Sequence, residues 1–283
     1  MASARGKNQK ADQMNQRLDR LMVERGLAPT RSKAQALVMA AQVFVNGEKL
    51  TKAGTLVSKD ARIQVQGPSN PYVSRGGLKL DRALAYFDLN PRGWKIIDVG
   101  ASTGGFTDCW LKHGAEHVWA VDVGYGQLDW QLRQDPRVTV LEKTNARWLT
   151  ADILHMDHAV DAASIDASFI SMVLLLQPLH ALVKDNGVIV GLVKPQFEAG
   201  PEHVGKHGVV RDPKIHVDVL EKFIDQAQAL DFSVLRLTFS PIRGPEGNIE
   251  FLSLLSNQKL MTTLTHLDIV EIVDQAWDQE EHH

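Results

Sequence analysis

One cysteine, Cys109, stands in 283 residues. That excludes an internal disulfide framework and a cysteine-built metal site, and it fits a reducing compartment. No apolar run is long enough to span a bilayer. The best, Ser171 to Val183, is broken by Gln177, Pro178 and His180. The opening MASARGKNQKADQMNQ lacks the apolar core of a signal peptide. The expected location is therefore the cytoplasm. Eleven histidines include no pair spaced for metal binding with a carboxylate nearby, so no metal is expected. Two nucleotide fingerprints are also missing: no Gly-x-Gly-x-x-Gly follows a strand, and no Gly-Lys-Ser/Thr closes a phosphate loop. His282 and His283 are given no role.

What is present is an ordinary apolar content of 44% with 23% charged residues, enough to build a substantial core. The charge is divided unevenly. Residues 1–66 carry twelve Lys and Arg against five Asp and Glu, a formal +7 in a chain whose total is −3, leaving −10 for the rest. A basic block on an acidic protein suggests a polyanion partner; a solvated face with a basic tail is the plainer reading.

Pattern divides the chain further. Residues 1–15 read as a polar, disordered tail. Within 16–66, Leu18, Leu21, Met22 and Leu27 share one helical face, with Gly26 as a stop. Thr30 or Ser32 caps a second helix through Ala34, Leu37, Val38 and Ala41. Asn46-Gly47 between short apolar runs signals a hairpin, and Ile63 and Val65 alternate as in a closing strand. Residues 67–71 read as a linker. From 72 to 260, apolar strand candidates alternate with helical patterns: Lys95–Val99, His117–Val121, Val138–Leu141, Ala162–Ile165, Val188–Val193, Ser233–Phe239 and Ile249–Leu255. The expected fold is α/β: a doubly wound, Rossmann-like, mainly parallel sheet behind a small α+β domain. Residues 261–283 are expected to form a C-terminal helix and tail.

The segment Ile96 to Asp108 (IIDVGASTGGFTD) runs from a buried strand through a glycine turn into a helix. Glycines there let backbone approach a ligand, and the helix start offers free N–H groups. Ligands bind at the carboxyl ends of such strands. Candidate cofactor contacts are Asp98, Gly100, Ser102, Gly104, Gly105, Phe106 and Asp122. Asp98 would face a cationic group such as the amino-acid end of S-adenosylmethionine. Asp122, ending the next strand, would take the ribose hydroxyls.

These residues carry a resemblance. Arg17-Leu18-Asp19, Arg31-Ser32-Lys33-Ala34 and Val43 to Gly47 resemble the RNA-binding fold named after ribosomal protein S-four. Residues 72–256 resemble an FtsJ-type methyltransferase domain, through Tyr72 to Leu80, the glycine loop, Asp166 to Ser171, Val193 to Glu198 and Gly244 to Glu250. The combination resembles the TlyA, or hemolysin A, family of ribosomal RNA 2′-O-methyltransferases. The resemblance implies S-adenosylmethionine as cofactor, ribosomal RNA or ribosomal subunits as partner, and cytidine ribose as target.

It also implies a Lys-Asp-Lys-Glu catalytic set, which falls on Lys79, Asp166, Lys194 and Glu250. The sequence supports three of these independently. Asp166 and Lys194 end apolar strands, and Glu250 sits in an apolar run, where a lone buried charge would be costly. Lys79 is singled out only by the family match. A lysine amine in low dielectric near positive charge sheds its proton more readily and serves as a base. That role falls to Lys194, oriented by Asp166, with Lys79 and Glu250 completing the network. Candidate RNA contacts are Arg17, Arg31 and Lys33 in the small domain, Arg75 beside Lys79, and Lys206 and Arg211 in the loop after Glu198. Asp166-Ala167-Ser168-Phe169 lacks the two prolines common in base-amine methyltransferases, which favours a hydroxyl target. The tryptophans are read as core or rim. Alternatives are a non-catalytic ribosome-assembly protein, a pseudouridine synthase and a membrane-active hemolysin. The last two lack, respectively, the Gly-Arg-Leu-Asp motif and a spanning segment.

Overall fold

The computed structural model describes residues 15–65, 70–244, 246–260 and 264–278. The expected tail up to Met14, most of the linker and the last five residues lie outside them. The chain forms two units, 1–69 and 70–283.

In the first unit, β1 (Asn15–Arg17) leads into α1 (Leu18–Glu24) and α2 (Arg31–Met39). The strands β2 (Val43–Val45), β3 (Glu48–Leu50), β4 (Leu56–Ser58) and β5 (Ile63–Val65) follow. Thr30 is the cap: its Oγ1 accepts from the Lys33 N–H at 3.2 Å. Asn46 and Gly47 take φ of 53° and 89°, as a two-residue turn between paired strands requires. Helix α1 ends three residues before Leu27, the chain turning at Gly26 with φ of 69°. Leu18, Leu21, Met22, Ala34 and Val38 pack on Val43, Val57 and Ile63 as one small core.

The second unit is built on a seven-stranded sheet. Its strands are β6 (Lys95–Val99), β7 (His117–Val121), β8 (Val138–Leu141), β9 (Val160–Ile165), β10 (Val183–Val193), β11 (Ser233–Phe239) and β12 (Phe251–Ser256). Their order is β11-β12-β10-β9-β6-β7-β8. All run parallel except β12, which is antiparallel to both neighbours. Successive side chains go to opposite faces. Ile97, Val99, Ala163, Ile165, Ile189 and Val193 thus join one core with Leu176, Leu220 and Phe223. Ile96, Ala162, Val190 and Leu192 join a second core with Leu80, Phe106 and Trp110. Helices cover both faces, so the sheet is doubly wound as expected.

The helices that matter for the site are α3 (Gly76–Phe87), α4 (Gly105–Lys112), α5 (Trp130–Gln134), α6 (Ala151–Leu154), α7 (Val173–His180) and α8 (Pro195–Glu198). Helices α9 (Pro213–Ala229) and α10 (His266–Asp278) complete the unit. No helix among the described residues is long and apolar enough to cross a membrane.

Candidate active site

Strand register builds the site. Val99 lies opposite Ile165, Gly191 opposite Ile165, and Val193 opposite Phe251. The residues just beyond the ends of the parallel strands, Gly100, Asp166 and Lys194, therefore emerge along one edge of the sheet. Because β12 runs the other way, the residue just before it, Glu250, joins that edge. Glu250 was expected inside a strand; it precedes one, and the reversal of β12 is what carries it to the active end.

Lys79 arrives from α3. The start of α3 crosses the start of α4 at glycines. A Cβ on Gly105 would sit 2.3 Å from Ser74 Oγ and 2.8 Å from the Gly77 nitrogen, and one on Gly77 would strike the Tyr72 ring. Only with both positions bare do the helices approach closely enough to present Lys79 from the first turns of α3.

The four residues form two ion pairs. Lys79 Nζ donates to Glu250 Oε2 at 2.6 Å, with both side chains nearly inaccessible. Lys194 Nζ lies 2.7 Å from Asp166 Oδ1 and donates to Ser168 Oγ at 3.0 Å. Buried charges require such partners. All four, with Ser168, line one cleft of about 910 Å³. Gly244 gives Glu250 its place, since a Cβ there would fall 2.7 Å from Glu250 Oε1.

Of the expected cofactor contacts, Gly100, Ser102, Gly105 and Phe106 line this cleft, and Asp98, Gly104 and Asp122 do not. Asp98 is a correction. It is fully buried, its Oδ2 accepting from Thr107 Oγ1 at 2.6 Å and its Oδ1 from Ser164 Oγ at 2.8 Å. Burial pushes its carboxyl up to about 6, against the pull of those two hydroxyls. Asp98 ties β6, β9 and α4 together beneath the loop rather than facing a ligand. Gly104 is likewise a turn residue: its φ is 96°, and a Cβ would strike Leu132 Cδ1 at 2.2 Å. Asp122 braces the loop, its Oδ2 accepting from the Ser102 N–H at 2.8 Å and its Oδ1 from the Gly124 N–H at 2.7 Å. Each oxygen keeps a second lone pair.

The expected RNA contacts divide. Arg75 lines the cleft. Lys206 and Arg211 are exposed but outside the lining, which takes His207 and Gly208 from the same loop. Asn248 pins that loop in place, Oδ1 accepting from the Val210 N–H at 3.0 Å and Nδ2 donating to the Gly208 carbonyl at 2.8 Å. In the first unit, Lys33 is exposed, whereas Arg17 and Arg31 are not independent cations. Both bond to the fully buried Asp19 at 2.9 Å, and Gln35 adds a third donor. Those bonds, Arg17's first, hold the Asp19 carboxyl well below the ordinary carboxylate range.

Sequence reasoning missed Ser168 and Phe169 as site residues. Phe169 is 90% exposed at the cleft, with its ring 5.2 Å from that of Phe197 and its backbone at a φ of 64°. An apolar ring held outward in a left-handed backbone is a costly arrangement, and it suits stacking on an unpaired base. One group of possible metal donors occurs among the described residues, Asp81, Cys109 and His113, within 4.8 Å of one another; none lines the cleft. Burial pushes the Cys109 thiol up, out of the nucleophile's range.

Comparison with known proteins matches an FtsJ-like methyltransferase model over residues 72–257 and an S4 domain over residues 16–63. YqxC of Bacillus subtilis is 51% identical over 84% of each chain. The 16S/23S rRNA (cytidine-2′-O)-methyltransferase TlyA of Mycobacterium tuberculosis is 43% identical over 86% of this chain and 90% of its own. Hemolysin A of Brachyspira hyodysenteriae is 38% identical over 84% and 98%. The solved structure of a hemolysin-named protein from Streptococcus thermophilus superposes with a TM-score of 0.76 at 44% identity, covering 95% of this chain and 99% of that one.

Proposed function

The chain belongs to the FtsJ-like methyltransferases of the TlyA and hemolysin A family, and from that premise we propose that it methylates the ribose 2′-hydroxyl of a cytidine in ribosomal RNA, using S-adenosylmethionine. The observation that carries the reading is the convergence of two Lys–carboxylate pairs, the buried Lys79–Glu250 and the partly buried Lys194–Asp166, on the cleft lined by the glycine loop.

The cradle fits the cofactor. Gly100 turns at a φ of 81° where a Cβ would collide with the Asp166 carbonyl at 2.7 Å, so the backbone of the turn itself forms the wall. Gly100, Ser102, Gly105 and Phe106 would hold the amino-acid end, and the free lone pairs of Asp122 the ribose. When bound, the cofactor supplies a methyl carbon activated by a positively charged sulfur.

The remaining work belongs to the chain. Lys194 Nζ takes the proton of the 2′-hydroxyl as the oxygen becomes a nucleophile. Asp166 orients that amine and stabilises the ammonium that results. Lys79 and Glu250 hold the opposite wall as an ion pair. Phe169 offers a stacking face to the target base, and Arg75 a charge to the backbone phosphate. Positioning in a small cleft accounts for much of the acceleration. A ribosomal RNA substrate places this work in the cytoplasm.

The test is methyl transfer from radiolabelled S-adenosylmethionine to ribosomal subunits from cells lacking the protein. Wild type should label RNA at 2′-O-methylcytidine, and Lys194→Ala should lose at least about a hundredfold in rate. Cofactor binding without label on RNA would replace the enzymatic reading by an assembly role.

A further inference from the structure

We infer that Ser168 is a positioning residue for methyl transfer, fixing the direction in which Lys194 presents its lone pair; the inference rests on the function proposed above. A lysine amine is tetrahedral, and its carbon occupies one position. Asp166 Oδ1 at 2.7 Å and Ser168 Oγ at 3.0 Å take two more. Both are acceptors, so in the neutral amine both N–H bonds are committed and the lone pair is left at the one remaining position. With Asp166 alone, the amine turns about its carbon–nitrogen bond, and a second hydrogen competes with the lone pair for the substrate side.

The fold holds Ser168 for this purpose. The backbone bends sharply at the next residue, Phe169, with a φ of 64°. The segment that follows is fastened by the Met172 N–H donating to Glu198 Oε1 at 2.8 Å. Glu198 lies in α8, which begins immediately after Lys194. The turn carrying the hydroxyl and the strand end carrying the amine are thus pinned to each other. During transfer the 2′ proton passes to Lys194 Nζ. Ser168 keeps its own proton and accepts from the nitrogen in both of its charge states.

The experiment compares wild type, Ser168→Ala, Ser168→Thr and Lys194→Met in full-length protein, reading kcat, KM for ribosomal subunits and S-adenosylmethionine affinity. Ser168→Ala should lower kcat by about 10- to 100-fold, the scale of a misaligned reacting group, with KM and cofactor affinity unchanged. Ser168→Thr, which keeps the hydroxyl, should recover most of that loss. An unchanged kcat in Ser168→Ala, a loss confined to KM or cofactor affinity, or equal losses in the Ala and Thr variants would overturn the inference. Lys194→Met separates the two levels of argument. If it is inactive while Ser168→Ala is normal, only the role of Ser168 falls; if it stays active, the assignment of Lys194 falls and takes Ser168 with it.

Discussion

Asp98 is a carboxylate buried with no cation beside it among the described residues, held by the hydroxyls of Thr107 and Ser164. Its folded value of about 6 lies above the ordinary 3.8. The folded state therefore holds the proton more tightly, and the contribution of Asp98 to stability falls as pH rises through the window from about 4 to about 6. A shift of this size corresponds to roughly 3 kcal/mol. Urea unfolding of wild type and Asp98→Asn should differ by an amount that declines across that window and is flat above it. A pH-independent difference would mean the carboxyl titrates normally. From sequence, Asp98 at a strand end looked ligand-facing, because nothing local says that Thr107 and Ser164 fill its oxygens. Lys194 and Asp166 were legible for the opposite reason: a charge directly after an apolar strand has few destinations besides the active end of a sheet. Ser168 and Phe169 carried no such mark. Their meaning lies in one hydrogen bond and one backbone angle.

Elements were easier to read than their arrangement. Each of the seven expected strands exists in the sheet, since apolar runs bounded by turn residues leave little choice. The direction of β12 was not legible, because an apolar run reads the same both ways and pairing is settled by distant neighbours. The C-terminal helix was expected, but its anchor was not. Trp277 Nε1 of α10 donates to Nδ1 of His216, which is fully buried in α9. Burial, helped by Arg243, pulls the His216 imidazole down to about 4 from 6.5. The neutral ring belongs to the folded state, so its contribution is complete above about 6.5 and is lost as pH falls toward 4. That sign opposes Asp98, and the two dependences offset each other in wild type. Protection of the amides over residues 266–278, measured against the intrinsic exchange rate at each pH, should therefore fall between pH 7 and pH 4.5. In His216→Phe the protection should start lower, by about 1 kcal/mol for the missing acceptor, and change less with pH. Equal acid sensitivity in both proteins would place the switch elsewhere.

At the scale of the molecule, charge and chemistry are assigned to different units. The basic block falls on residues 1–66 and the excess acid on the rest, while every residue of the two Lys–carboxylate ion pairs lies in the second unit. Affinity for a polyanion should then be set largely by the first unit and turnover by the second. Within the first unit, Asp19 organises Arg17 and Arg31 rather than leaving them to reach freely. An arginine held by a buried carboxylate has part of its charge offset but loses less freedom when a phosphate binds. Arg31→Ala and Lys33→Ala should each weaken binding to ribosomal subunits. Each should also reduce the salt dependence of log K by about 0.7 to 0.9 per phosphate contact removed. The rate at saturating RNA should not change. The Lys194 variant should do the reverse, abolishing turnover with the salt slope intact. If Arg31→Ala or Lys33→Ala instead lowered the saturated rate, the first unit would be setting the geometry of the target nucleotide as well as holding its strand.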